Sequence, residues 1–131
     1  VFEDPIRERF ETFIAAWNAH DVKAMTDCFV ASGNITHPWG TFAAGHEEIA
    51  RLLTHEHQGT MRESQLQPVQ IRVRTLSEGS AVADFEGVLE QVRAPNGSPY
   101  QLPHSIHAVL IQQDGWFFLS MNPSVDPRAG G

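Results

Sequence analysis

Near residue 66 the hydrophobic period of this chain changes, and nothing else in the sequence restricts the fold as much. Before that point apolar residues recur at helical spacing. Ile6, Phe10, Phe13, Ile14 and Trp17 share one stripe behind Asp4 and Pro5, which form an N-cap with proline at the first helical position. Asp21 reads as a second N-cap, with Val22, Met25 and Phe29 on the face of a short helix. After the stretch THPWGTFAAG, residues 36–45, a third stripe holds Ile49, Leu52 and Leu53. Glu47 and Glu48 sit in the first turn of that helix, where the dipole favours negative charge. Beyond residue 66 the period is two: Val69, Ile71 and Val73 alternate with Gln70, Arg72 and Arg74. SAVADFEGVLEQVR, YQLPHSIHAVLIQQ and WFFLSMN continue as strands, separated by APNGSP and by Asp114-Gly115. Helices over about 4–57, a sheet over about 66–122 and an irregular tail over 123–131 make a single α+β domain spanning residues 1–131. Helices should cover one face of an antiparallel meander.

Charge narrows the partners. Sixteen acids against nine Lys and Arg give a net charge of −7, and no basic cluster exists. Phosphate contacts need concentrated cations, so neither nucleic acid nor an anionic membrane surface is expected. Cys28 is the single cysteine and reads as a small buried hydrophobe; it excludes an internal disulfide and a multi-cysteine zinc site. No apolar run reaches transmembrane length, and the N-terminus carries no signal-peptide core, so a cytoplasmic protein is expected.

No G-x-G-x-x-G, phosphate loop or G-x-S-x-G is present, so no cofactor and no serine nucleophile are expected. Seven histidines invite a metal, but their spacing argues against one. His55 and His57 point to nearly opposite sides of a helix, and His104 and His107 to opposite faces of a strand. Only His37, His107 and a residue of the third helix could gather, and no metal is expected.

The two turns fix trial registers. A two-residue turn at Asp114-Gly115 pairs Gln113 with Trp116, Ile111 with Phe118, Val109 with Ser120 and His107 with Asn122. A two-residue turn at Asn96-Gly97 pairs Glu86 with His107, Asp84 with Val109 and Val82 with Ile111. One face then carries Glu86, His107, Val109, Trp116, Phe118 and Asn122 among others, apolar with a few polar groups set into it. The other, with Ala83, Phe85, Ala108, Leu110, Phe117, Leu119 and Met121, is wholly apolar. The first face fits a small-molecule pocket. It equally fits a wet face, with the apolar side as core, and pattern alone leaves both readings open. Glu56 falls on the third helix's apolar stripe, where it would line a pocket, unless the helix frays before Gly59 and leaves it in water.

AAWNAHD followed by Cys28-Phe29, then ITHPWG, then a glycine opening a helix with EEIARLL, resembles the first half of the nuclear transport factor 2-like superfamily, with its ketosteroid isomerases and SnoaL-like cyclases. The ending VLIQQDGWFFLSMN resembles the last hairpin of SgcJ/EcaC-type members. The resemblance implies a cone, a curved antiparallel sheet with three N-terminal helices on its concave face, as in a cystatin-like α+β barrel. It also implies an inner pocket and dimers through the outer face, here assigned to Phe117, Leu119 and Met121. It turns the choice of inner face toward Glu86, His107 and Asn122.

The isomerases' general base falls on His37, their oxyanion aspartate on His107 and their oxyanion tyrosine on Phe13, which has no hydroxyl. Steroid isomerisation by that route is therefore not expected. The expected site has His37 as base and His107, oriented by Glu86 or Asn122, as acid. Phe13, Trp17, Trp39, Leu53, Glu56, Val109, Trp116, Phe118 and Asn122 are expected to line it. A cofactor-independent enzyme of isomerase, cyclase or lyase type is the leading reading, on a small apolar carbonyl compound. A non-catalytic binding protein and a dimerisation module with a filled interior are the alternatives.

Overall fold

The computed structural model describes residues 3–38 and 40–125. Helix α1 (Glu3–Asn18) buries Ile6, Phe10, Phe13, Ile14 and Trp17, the stripe expected from spacing. Its end is tied to the sheet by Asn18, whose Oδ1 accepts from Leu66 N at 2.6 Å and whose Nδ2 donates to Leu66 O at 3.2 Å. Asp21 caps α2 (Val22–Thr26), accepting from Ala24 N at 3.1 Å. That helix is shorter than the apolar spacing suggests. Phe29 is not on it but begins strand β1 (Phe29–Thr36), which pairs with the short β2 (Phe42–Ala44) as a hairpin. THPWGTFAAG therefore holds the end of β1 and the return strand β2, and His37 N donates to Thr41 O at 2.9 Å between them. Gly45 at φ +82° then swings the chain into α3 (Gly45–Gln58), a conformation that glycine adopts without steric cost.

Four long strands follow: β3 (Gln65–Ser77), β4 (Ser80–Arg93), β5 (Pro99–Gln112) and β6 (Trp116–Val125). The order across the sheet is β2-β1-β6-β5-β4-β3. All neighbours are antiparallel except β1 and β6, so the sheet is mixed rather than purely antiparallel. β6 also extends to Val125, three residues into the stretch expected to be irregular. The rest of that tail, 126–131, lies outside the described residues.

Both trial registers need correction. The β5–β6 loop is one residue longer than expected, and Gln112 rather than Gln113 faces Trp116. Leu110 then faces Phe118, and an irregularity between Val109 and Leu110 restores Val109 to Ser120 and His107 to Asn122. The β4–β5 turn is also longer, with Arg93 facing Pro99, and a second irregularity beside Gln91, at φ 58°, adds another residue. Two one-residue slips leave the facing residues of β4 and β5 on shared faces but move each partner by two. Asp84, not Glu86, faces His107.

The helices pack on the face of Ala83, Phe85, Ile106, Ala108, Leu110 and Met121. The inner face is therefore the wholly apolar one, opposite to the assignment drawn from the resemblance. The bulge in β6 adds Trp116 and Phe118 to it. Phe118 is completely buried, with its ring edge-on to Phe10 at 4.9 Å and to Phe13 at 5.8 Å between centroids. The physical reason is simple. Charged groups keep their hydration outside, and the strand face without them is the one the helices can dehydrate. No helix among the described residues is long and apolar enough to cross a membrane.

Candidate functional site

A cavity opens between the helices and the inner face of the sheet. Its volume is about 50 Å³. α1 contributes Phe13 and Trp17, and α3 contributes Leu53 and Glu56. β1 brings Ile35, and His37 follows directly at its end. β5 adds His104 and Ile106, β6 adds Met121, Pro123 and Ser124, and the segment after α3 adds Met61. No Lys or Arg is among these lining residues.

Each polar member is placed by local structure. Gly33, Ile35 and His37 are all buried, so His37 continues the inward alternation of β1 into the turn. Glu56 lies one turn after Leu53 on the buried stripe. The helix does not fray before it: Gly59 N and Met61 N both donate to Glu56 O, at 3.1 and 2.9 Å, and fold Met61 back toward the cavity. His104 shares the inward side of β5 with Ile106, Ala108 and Leu110. Trp17 is held rigid, its Nε1 donating to Ser64 Oγ at 2.9 Å and its ring edge-on to His57. That N–H is already used and is not available to a ligand.

His37 Nε2 stands 3.6 Å from Glu56 Oε2. Burial disfavours the charged form of each group. It pushes the Glu56 carboxyl up to about 7 and the His37 imidazole below its ordinary value of 6.5. His104 is driven down to about 4, by burial first and by the nearby His37 second, with a backbone hydrogen bond at Ser124 acting the other way. Near pH 7 the cavity thus holds two neutral imidazoles and a carboxyl group that gains or loses its proton with little driving force. A neutral base and an undissociated acid side by side can exchange protons with a carbon acid.

Of the residues expected at the site, Phe13, Trp17, His37, Leu53 and Glu56 come together. His107 and Glu86 do not. His107 is exposed on the outer face, its Nδ1 at 2.6 Å from Asp84 Oδ1, and Glu86 pairs with Arg72 beside it. Asn122 faces His107 on that same outer side, and Val109 is only half-buried there. Trp116 and Phe118 belong to the core and do not touch the cavity. Met121 lines the cavity, so it cannot belong to an outer interface, whereas Phe117 and Leu119 remain partly exposed. Trp39 lies outside the described residues. His104, Ile35, Ile106 and Met61 were not expected at the site. His104 shows a usable signal, because it falls on the wholly apolar face once that face is taken as the inner one. Among the described residues no group of three or more His, Cys, Asp or Glu forms a metal site.

Residues 10–117 match the SnoaL-like domain family, and the chain belongs to it. No curated protein matches the sequence. Solved structures share the fold. An uncharacterised protein with a cystatin-like fold from Caulobacter vibrioides superposes with a TM-score of 0.84 at 20% identity, covering 97% of this chain and 92% of its own. A candidate scytalone dehydratase from Novosphingobium aromaticivorans gives 0.81 at 13% identity, covering 92% and 81%. LinA gives 0.83 at 12% identity, covering 92% and 83%. At these identities the likeness speaks for the α+β cone alone.

Proposed function

We propose that this protein is a cofactor-independent acid–base enzyme of isomerase or lyase type, acting on a small, uncharged carbonyl compound. One observation carries the reading: a buried imidazole and a buried carboxyl 3.6 Å apart in an otherwise apolar cavity. Neutral His37 takes a proton from the carbon next to the carbonyl. The carboxyl of Glu56, still protonated, donates a hydrogen bond to the carbonyl oxygen as negative charge develops there. Glu56 takes the acid role first expected of His107. The candidate dehydratase among the structural neighbours agrees with lyase chemistry. A non-catalytic binding protein is the second reading, favoured by Phe13, which offers no hydroxyl where ketosteroid isomerases keep a donor. In either case a homodimer through the outer sheet face, around Phe117 and Leu119, is part of the proposal.

Exchange of α-protons in D2O, followed by NMR with a panel of simple ketones at pH 6.5, separates the readings. The enzyme should accelerate exchange for at least one ketone, and His37→Ala should lose about 100-fold or more. No exchange above buffer across the panel, with binding unchanged in His37→Ala, would leave the binding protein.

A further inference from the structure

His104 reaches the cavity with one ring nitrogen committed and the other not. The residue is 8% exposed, and its Nδ1 is buried with no hydrogen-bond partner among the described residues. The Ser124 backbone favours the protonated ring, as a carbonyl facing a ring N–H does. Since Nδ1 has no partner, that N–H is on Nε2. A neutral imidazole has one N–H, so Nδ1 keeps a lone pair. His104 lines the cavity, and Nδ1 is its unmet ring nitrogen.

A buried acceptor left unmet is costly, and a group that meets it is selected. Water can meet it, but a ligand that displaces such water must replace the hydrogen bond. The cavity also restricts the donor. With no Lys or Arg in the lining, a carboxylate or phosphate head has no counter-charge. An ammonium would bring a charge and three N–H groups to a lining whose single acidic side chain, Glu56, is itself held protonated by burial. A hydroxyl brings one hydrogen for one lone pair.

We propose that the natural ligand is an uncharged hydroxy-carbonyl compound whose hydroxyl donates to His104 Nδ1 while its carbonyl end lies at His37 and Glu56. The placement of the carbonyl rests on the acid–base reading above; the recognition of a hydroxyl does not. His104 is then a specificity residue, acting on the ligand's second polar group.

The test compares 3-hydroxycyclohexanone with 3-methoxycyclohexanone, which differ in the donor hydrogen and a methyl group, with cyclohexanone as reference. By calorimetry or ligand-observed NMR, the hydroxy ketone should bind the wild-type protein about tenfold tighter than the methoxy ketone. His104→Phe should remove that preference. His104→Asn, whose side-chain oxygen can stand near the position of Nδ1, should restore part of it. ¹⁵N NMR of the wild-type imidazoles reads the same contact without a substitution: the hydroxy ketone should move the His104 Nδ1 resonance and the methoxy ketone should not. Equal binding of the two ketones, no binding of either, or a preference that survives His104→Phe overturns the proposal. Exchange of α-protons is scored separately. A hydroxyl preference without exchange sinks only the acid–base reading, and exchange without a hydroxyl preference sinks only this one.

Discussion

Replacing Glu56 with Gln keeps the shape of the side chain and removes its charge. In the folded protein the carboxyl holds its proton up to about pH 7, whereas in the unfolded chain it ionises near 4.5. Between those values the folded state binds more protons than the unfolded state, so stability falls as pH rises. The stabilisation is complete below 4.5 and lost above about 7. At about 1.4 kcal/mol per pH unit the loss is at most about 3 kcal/mol. A fifth of the side chain's surface stays open to water, so 1–3 kcal/mol is the expected range, roughly. An amide at this position does not titrate and carries no such dependence. Urea unfolding should therefore show Glu56→Gln equal to wild type near pH 4.5 and more stable by about 1–3 kcal/mol at pH 8. That is several degrees in melting temperature for a domain of this size. The competing effect is an ion pair with His37, 3.6 Å away. If attraction outweighed desolvation, the carboxyl would be pushed down instead, and Glu56→Gln would destabilise near pH 6. A destabilised variant, or a difference independent of pH, refutes the burial argument and with it the acid role of Glu56.

Other consequences are independent of that one. His57 and His104 both titrate near 4 in the folded protein against an ordinary 6.5, so each contributes stability above pH 6.5 that is lost as pH falls toward 4, at most about 3 kcal/mol apiece; acid denaturation followed by circular dichroism should steepen in that window and flatten in His57→Phe. Activity should follow a bell, rising through the depressed value of His37 and falling through about 7 as Glu56 ionises, and a rate that climbs steadily to pH 9 would contradict the assigned roles. His107→Ala removes an exposed ring from the outer face, so ligand binding and turnover should stay within twofold of wild type, roughly. Sedimentation should give twice the chain mass for the wild type and the chain mass for Leu119→Arg, and a monomeric wild type would end the proposed role of Phe117 and Leu119.

Much of the site was legible once each side chain was assigned to an element. The stripe on α1 indicated Phe13 and Trp17, and the stripe on α3 indicated Leu53 and Glu56, because helical spacing places residues three and four apart on one face. The alternation of Gly33, Ile35 and His37 aims His37 inward once Phe29–Thr36 is read as a strand. That strand is masked in the sequence because Phe29 fits the end of a short helix as readily as the start of a strand. The place of His107 is hidden from the sequence for a different reason. Parity along β5 separates His107 from His104, but it does not say which of the two faces is covered.

The sequence alone determined the change of period, the two classes of element, the α+β domain and the membership of each strand residue in one of two faces. These are local properties, set by dihedral preference and by where apolar side chains recur. Tertiary structure decided the rest. Whether the helices cover the charged face or the apolar one depends on the total cost of dehydrating Asp84, Glu86 and His107, which no single strand encodes. The length of two hairpins and the position of two bulges then set which residues meet across the sheet. The His37–Glu56 pair joins the end of β1 to the last turn of α3, nineteen positions apart in sequence. Only packing of that helix against the sheet brings the two groups within 3.6 Å and removes the water that would otherwise keep them ordinary.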